Sequence, residues 1–289
     1  MQALCFRQFG GPDVLHLEEL PRPVPGPGHA LVRMKAIGLN FADIYRRKGN
    51  YHLAGEPPWI AGYEGAGLVE AIGGSNSGGL KTGDRVAFAD APFANAEFVS
   101  VPFEKIIPLP DAISHETAAG LLLQGLTAQY LARDSHRLQA GEEVLIHAAA
   151  GGVGLLLIQL SKRLGTRVLG LVSSEAKRQV ALDAGADDVV LYSEDWIGAA
   201  HRFSSSGTGV HVAYDSVGST LKQSLEALQV GGHAVFFGMA GGDPQPVEPR
   251  YLMDTSKTLT GGDLWNVLRT REERTRRAGE LFEWILDGT

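Results

Sequence analysis

The sequence predicts a two-part α/β protein, a β-rich unit followed by a doubly wound parallel sheet, and three observations carry that prediction. Length is one, since 289 residues exceed the usual span of a single hydrophobic core. A change of period is another. Up to about residue 110 the apolar residues fall in short runs punctuated by glycine and proline, whereas Leu121, Leu122, Leu126, Tyr130 and Leu131 lie on one helical face. The third is the stretch from Val144 to Leu160, an apolar run that breaks at small residues and resumes with helical spacing, as a strand, a tight turn and a helix do.

In chain order, the first unit reads as short strands at residues 3–6, 15–19, 29–37, 65–72, 85–89 and 96–102. Residues 21–28 carry four prolines, which remove donors and fix φ, so this stretch is an extended connector and not a sheet interior. Residues 73–79, glycine and serine with one asparagine, form a flexible loop, and Lys81-Thr-Gly-Asp-Arg-Val86 makes the turn into the next strand. Ser114 caps a helix with Glu116 in its first turn, and a domain boundary falls near residue 120.

Beyond that boundary, strands at 144–147, 167–172, 188–191, 210–215 and 233–238 alternate with helices that start near Val153, Ser174, Glu194 and Thr220. Gly165, Gly185 and Gly231 stand where helix C-caps belong. Such alternation implies a mostly parallel sheet covered on both faces, with ligands at the carboxyl ends of its strands. A loop over residues 238–249 follows the last of these strands. Arg269 to Arg277 mixes five arginines with two glutamates and reads as a solvated helical face, and Leu281, Phe282, Trp284 and Ile285 then form an apolar stripe for core packing.

Composition narrows the function classes. A formal charge of −7 argues against a nucleic-acid or membrane-surface partner drawn by electrostatics. The single cysteine, Cys5, excludes an internal disulfide framework and a cysteine-rich zinc site. There is no signal peptide and no apolar run of spanning length, so the cytoplasm is the expected location.

The chemistry begins at the break in the long apolar run, Ala149-Ala150-Gly151-Gly152-Val153-Gly154. Ala149, Gly151 and Gly154 fall where the dinucleotide fingerprint puts its three small residues, with alanine in place of the first glycine. A pyrophosphate reaches the backbone N–H groups at a helix start only if no large side chain intervenes, and the helix dipole then favours its charge. The ribose is read about twenty residues further on, where an acidic residue would bind the hydroxyls of NAD. Here the sequence is Val172-Ser173-Ser174-Glu175-Ala176-Lys177. Ser173 and Ser174 remove the negative charge from that position, and Lys177 can meet a 2′-phosphate as a point charge, which favours NADPH. Against this, Ser174 also reads as a plain N-cap, Lys177 as a surface lysine, and Glu175 places an acid near the expected phosphate.

Four further stretches, Asn40 to Tyr51, Gly62-Tyr-Glu-Gly-Ala-Gly67, Gly83-Asp-Arg-Val86, and Leu121 to Tyr130 with Gly125-Leu-Thr-Ala128, together with the fingerprint, resemble one family over nearly the whole chain. It is the zinc-independent medium-chain dehydrogenases/reductases, nearest the NADPH quinone oxidoreductases related to zeta-crystallin. The resemblance implies a GroES-like β-rich catalytic domain over residues 1–120, a Rossmann NADPH-binding domain over 121–262 and a C-terminal segment, 263–289, returning toward the catalytic domain. It puts the active site in the cleft between the domains. Relatives continue further with strand and helix that complete the first domain, so the return segment is expected to be truncated, with exposed strand edges.

The same resemblance places Asn40, Tyr45, Tyr51 and Thr127 near the nicotinamide and acceptor, with Asp43 on the same motif, and adds Tyr192 as a phosphate neighbour. Taken singly, Asn40 reads equally as a turn former, Asp43 as a helix cap, Thr127 as a helix back-bonder and the tyrosines as core or rim aromatics. If residues 40–48 are a short helix, Phe41, Ile44 and Lys48 form one side and Asn40, Asp43 and Arg47 the other, one buried and one cleft-facing. Ser216-Val217-Gly218 and Phe237-Gly238, at strand ends, should line the cofactor channel. A catalytic zinc in related alcohol dehydrogenases needs a thiolate and an imidazole where this chain has Asn40 and Tyr63, so no metal is expected.

Without a Lewis acid, reduction of an electron-poor acceptor is the simpler task, and a quinone or conjugated enone fits. An enone or enoyl-thioester reductase is the alternative within the enzymes. From another class, an NADPH-binding protein without turnover, possibly binding RNA, remains open, although the acidic balance disfavours RNA. Resemblance also implies a homodimer through the edge strand near Lys257 to Thr260.

Overall fold

The structure, a computed structural model, describes residues 1 to 288. The chain forms two compact units, one from Met1–Leu126 with the segment from Leu268 onward, the other from Thr127–Val267. In the first unit the elements are β1 (Gln2–Phe6), β2 (His16–Glu19), β3 (His29–Ile37), α1 (Phe41–Lys48), β4 (Trp59–Ile60), β5 (Glu64–Ile72), β6 (Arg85–Ala89), β7 (Phe98–Pro102), β8 (Ile107–Pro108) and the start of α2 (His115–Tyr130). They build two antiparallel sheets, ordered β7-β3-β5-β6-β8 and β2-β1-β4. Alternation does the work: on β7, Val99 and Val101 are buried while Ser100 between them is not. They join Val32, Val69, Val86 and Phe88 in one core, each such side chain worth about 1.5–3 kcal/mol on burial.

Two strands escape the sequence pattern. β4 and β8 have two residues each, too short for a period, and Pro57, Pro58 and Pro108 lie in or beside them. Ser114 caps α2, its hydroxyl oxygen accepting from the Thr117 N–H at 2.9 Å.

The second unit contains β9 (Glu143–Ile146), α3 (Gly152–Arg163), β10 (Arg167–Val172), α4 (Glu175–Asp183), β11 (Asp188–Leu191), α5 (Trp196–Phe203), β12 (Val210–Asp215), α6 (Leu221–Glu226), β13 (Leu228–Phe236), α7 (Pro249–Thr255), β14 (Thr258–Gly261) and α8 (Leu264–Val267). Its strands pair in parallel in the order β11-β10-β9-β12-β13-β14. This is the Rossmann arrangement. The winding reverses between β9 and β12, and that switch point opens a crevice at the strands' carboxyl ends. Gly165 and Gly185, with φ of +80° and +106°, follow α3 and α4 in the left-handed conformation that ends a helix.

Gly231 is different from its expected role. It is not a helix C-cap but lies within β13, at φ +79°, where the pairing with β12 shifts register between Val210 and Val212. A bulge and a helix end both need positive φ, so glycine alone cannot tell them apart. Helix α5 likewise starts at Trp196, capped by Asp195, because the Glu194 carboxylate is taken by the Leu191 N–H at 2.8 Å and by Arg178.

In the first unit the C-terminal helix α9 (Arg271–Leu286) corrects a second expectation. Its arginines are not all a solvated face, for Arg274 and Arg277 are 4% and 6% exposed. Arg274 donates to the carbonyls of Ala89 at 3.0 Å and Leu268 at 2.8 Å and pairs with Asp90 at 3.1 Å, so its charge is matched inside. Arg277 donates to Glu273 at 2.6 Å. Replacing Arg274 by methionine keeps the bulk and leaves those acceptors unmet; urea unfolding should show the first unit destabilised by about 2–4 kcal/mol.

Candidate active site and cofactor cradle

In the second unit, β9 delivers the chain into a turn at the switch point. Ala148 takes φ +48°, the Ala149 N–H donates to Leu171 O at 2.9 Å, and the Gly151 N–H donates to Ala148 O at 2.8 Å. The first helical bond of α3 is Leu155 N–H to Gly151 O at 2.9 Å, so the N–H groups of Gly152, Val153 and Gly154 stand ahead of the helical ladder, at the positive end of its dipole. A Cβ at Gly154 would stand 2.5 Å from Ala148 O and 2.8 Å from Ala149 O, so only glycine allows this turn to close on the helix. Ala149, the departure from the glycine pattern, is fully buried, and its methyl group is accommodated by Gly170 on β10, where an added Cβ would lie 3.0 Å away. The cradle therefore fits a pyrophosphate despite the alanine.

At the end of β10, Ser174 occupies the N-cap position of α4 and the Lys177 ammonium donates to Ser173 Oγ at 3.1 Å. Ser173, Ser174 and Lys177 are all exposed. The awkward acid is accounted for: Glu175 pairs with Arg178 at 2.8 Å, and Arg178 in turn holds Glu194 at 3.1 Å. Its charge is directed along the helix and is matched there, leaving Lys177 as the cation beside the two serines.

Tyr192, just beyond β11, turns its hydroxyl back to the turn, where the oxygen accepts from the Ala148 N–H at 2.9 Å and lies 3.2 Å from His147 Nδ1. Burial raises the phenol's pKa well above its ordinary value, so it stays protonated. At the ends of β12 and β13, Val217 and Gly218 donate their N–H groups to the Asp215 carboxylate at 2.8 and 3.0 Å, and Phe237 donates to Asp215 O at 3.0 Å. Gly238 packs on this loop, since a Cβ there would meet Ser216 O at 2.9 Å. Thr127, on α2, is 9% exposed.

In the first unit, Asn40 opens α1. Its N–H donates to Asp43 Oδ2 at 3.0 Å, which fastens the first turn. The Asn40 side chain does not cap the helix: Nδ2 donates to Glu64 Oε2 at 2.8 Å, and Oδ1 accepts from Gln124 at 3.3 Å. Glu64 is fully buried and also accepts the Leu123 N–H at 2.6 Å. Burial pushes its carboxyl up to about 8, outweighing those two hydrogen bonds. Asp43 also accepts from Arg46 at 3.2 Å, and the Arg46 guanidinium lies 3.3 Å over the Tyr63 ring and 5.2 Å from that of Tyr51. Tyr45 and Tyr51 meet edge to face at 6.1 Å.

The structure thus brings Asn40, Asp43, Tyr45 and Tyr51 together on one helix and its following loop, while Thr127 belongs to the other compact unit. One expectation fails. Phe41 is 59% exposed and Lys48 is exposed, and the buried residue of α1 is Arg46. An arginine goes inside because Asp43, the His52 carbonyl at 2.9 Å and the face of Tyr63 satisfy it, and hydrophobic periodicity cannot show that. Sequence reasoning likewise does not single out Glu64, His147 or Asp215 as functional positions. The signal for Glu64 is an acid among the small residues of Gly62-Tyr-Glu-Gly-Ala-Gly67, for Asp215 an acid at the end of an apolar strand, and for His147 a polar ring directly after β9. Among the described residues, no group of three or more His, Cys, Asp or Glu side chains is placed to hold a metal ion.

The chain matches the zinc-binding dehydrogenase model over residues 152–282 and the alcohol dehydrogenase GroES-like domain over 26–139. It is 41% identical to a quinone oxidoreductase of Pseudomonas aeruginosa over 286 residues, 98% of this chain and 87% of that protein. It is 36% identical to a 2-haloacrylate reductase of Burkholderia over 298 residues, 100% of this chain and 89% of that protein. Among solved structures, the Escherichia coli quinone oxidoreductase complexed with NADPH superposes with a TM-score of 0.94 at 38% identity, covering 100% of this chain and 89% of that one. Likeness of this extent in both sequence and fold means that the chain belongs to the quinone oxidoreductase family of medium-chain dehydrogenases/reductases.

Proposed function

We propose that the protein is an NADPH-dependent reductase that delivers a hydride to a quinone or another conjugated carbonyl acceptor, without a catalytic metal. The observation that carries this is the cradle at the switch point: a turn closed by Gly154, free helix-start amides, and a lysine beside two serines where an acid would select NAD. NADPH, when bound, supplies the hydride from its nicotinamide ring. Ala149, Ala150, Gly151, Gly152, Val153 and Gly154 hold the pyrophosphate, with backbone amides as the donors. Ser173, Ser174, Lys177 and Tyr192 hold the 2′-phosphate, and Val217, Phe237 and Gly238 line the nicotinamide channel.

In the first unit Asn40, Tyr45 and Tyr51 are assigned to the acceptor, and in the second Thr127 is assigned to the nicotinamide and acceptor. Asn40 is oriented from behind, its amide fixed between Glu64 and Gln124, so that the remaining N–H of Nδ2 is available to polarise an acceptor oxygen. Asp43 anchors Asn40 and Arg46, and Tyr51 or water returns the proton that completes a two-electron reduction. Where a zinc enzyme needs a thiolate and an imidazole, this chain has Asn40, engaged with Glu64, and Tyr63, whose ring lies under Arg46. The 2-haloacrylate reductase relative gives a specific reason to keep a second acceptor class, conjugated carbonyl compounds other than quinones.

Two coarser properties go with this reading. Among the described residues β14 pairs only with β13 and forms an edge of the parallel sheet, so pairing of two such edges near Lys257 to Thr260 would join a homodimer. No helix is long and apolar enough to cross a membrane, in keeping with a cytoplasmic enzyme, among the described residues.

Steady-state reduction of a panel of quinones and enones with NADPH and NADH tests the function; NADPH should be preferred on the best acceptor, and comparable use of both cofactors would remove the role given to Lys177. Lys177→Ala should lower that preference by about tenfold, roughly the loss of one charge-assisted contact. Glu64 makes a separate prediction. Its folded pKa, raised to about 8, means that it contributes stability fully below the ordinary carboxyl range and loses it as pH climbs through about 8. The urea midpoint of the first unit should therefore fall between about pH 5 and 9 more steeply in the wild type than in Glu64→Gln. Parallel pH profiles for the two proteins would show that the buried carboxyl is not protonated at neutrality.

A further inference from the structure

Inside the second unit, beneath the cradle, His147, Asp215, Thr220, Ser224 and the hydroxyl of Tyr192 form a cluster whose hydrogen bonds run in one direction. Asp215 is fully buried and acts only as an acceptor: Oδ1 takes the N–H groups of Val217 and Gly218, and Oδ2 takes the hydroxyls of Ser224 at 2.6 Å and Thr220 at 2.8 Å. Burial opposes its ionisation, and the four hydrogen bonds it accepts favour the carboxylate. Ser224 has one proton, committed to Asp215, so its oxygen must accept from His147 Nε2, 2.9 Å away. A neutral imidazole protonated at Nε2 has its lone pair on Nδ1. That lone pair faces the Tyr192 hydroxyl at 3.2 Å and the Thr220 hydroxyl at 3.4 Å, and the latter already donates to Asp215. The Tyr192 proton therefore points inward, while its oxygen accepts from the Ala148 N–H.

In that state Tyr192 would meet a 2′-phosphate with a lone pair, acceptor against acceptor. A single proton reverses the arrangement. With Nδ1 protonated as well, His147 donates both to Ser224 and to Tyr192, the Tyr192 oxygen is filled by His147 and Ala148, and its own proton turns outward. The groups facing His147 are Tyr192 beyond β11, Trp196 on α5 with rings edge to face at 5.4 Å, Thr220 and Ser224 at α6, and Asp215 at the end of β12, the charged group among them at 3.9 Å. Burial favours the neutral imidazole, against the pull of Asp215.

We infer that His147 is a specificity-determining residue for cofactor choice: binding of a 2′-phosphorylated dinucleotide is coupled to uptake of a proton by its imidazole, which turns the Tyr192 hydroxyl toward the phosphate. NADH, lacking that phosphate, binds without the proton. This rests on reading Tyr192 as a phosphate neighbour.

Titration calorimetry of the full-length protein with NADPH and with NADH, in buffers of different ionisation enthalpy at about pH 7.5, measures the proton directly, the phosphate itself being already dianionic there. Uptake of about half to one proton per NADPH and none per NADH is expected, with the NADPH Kd weakening toward tenfold per pH unit above that pH and the NADH Kd flat. In Ser224→Ala the neutral imidazole is free to carry its proton on Nδ1, so NADPH should still bind while the proton uptake disappears. Tyr192→Phe separates the two layers. If it lowers NADPH affinity about tenfold relative to NADH, yet the wild type takes up no proton, the role of His147 is overturned. If it leaves the NADPH-to-NADH ratio unchanged, the phosphate contact of Tyr192 is overturned and the proton coupling with it.

Discussion

An ionisable or hydrogen-bonding group removed from water must find its partners inside, at a penalty of several kcal/mol where it does not, and that constraint shapes both units of this protein. Arg274 is satisfied by two carbonyls and Asp90, Arg46 by Asp43, the His52 carbonyl and the Tyr63 face, Glu64 by Asn40 and the Leu123 N–H, and Asp215 by two amides and two hydroxyls. Each arrangement also fixes something else. Arg274 ties the C-terminal helix to the strand end at Ala89, Glu64 sets the Asn40 amide, and Asp215 holds the loop at Val217 and Gly218. The apolar core supplies the bulk of the stability, but it is non-directional. What places individual atoms at the proposed site is the pairing of buried polar groups.

This division explains how much of the fold was legible in the sequence. Strands and helices that bury apolar faces announce themselves by period, so β3, β6, β10, β11 and β12 stand where alternation and apolar runs put them, and the fingerprint turn precedes α3. Elements held by something other than apolar burial do not. β4 and β8 are too short to have a period, Gly231 needs positive φ for a bulge that looks the same in sequence as a helix end, and Arg274 goes inside because of partners far away in the chain. Arg46 is the same case: on α1 a charge is buried where Phe41 is exposed, because Asp43 and the His52 carbonyl accept from it.

At the candidate site the same rule separates what could be read from what could not. Small residues at a turn are visible in one dimension, and so is the missing acid at the end of β10. Whether alanine can replace the first glycine is not, since the answer lies on another strand: Gly170 supplies the space that Ala149 occupies. Nor could the sequence say what Glu175 does. The acid sits at the first position of α4, a place that favours negative charge whatever the cofactor, and Arg178 one turn later takes it up. A charge near a phosphate site is informative only once its partner is known.

At the two ends of the cradle the electrostatics therefore act through local pairs and not through net charge. On the rim, Arg178 pairs with both Glu175 and Glu194 through exposed contacts that water screens, and Lys177 is the cation that donates to Ser173. Beneath the turn, where no water screens, His147 and Asp215 lie 3.9 Å apart and every proton between them is shared along a chain of hydroxyls. A phosphate approaching the rim meets a fixed cation at the surface and an adjustable proton below it. The first recognises charge at any pH at which lysine is ionised; the second answers only when the imidazole can be protonated. Discrimination between two cofactors that differ by one phosphate then draws on both, and the buried contribution depends on pH while the surface one does not.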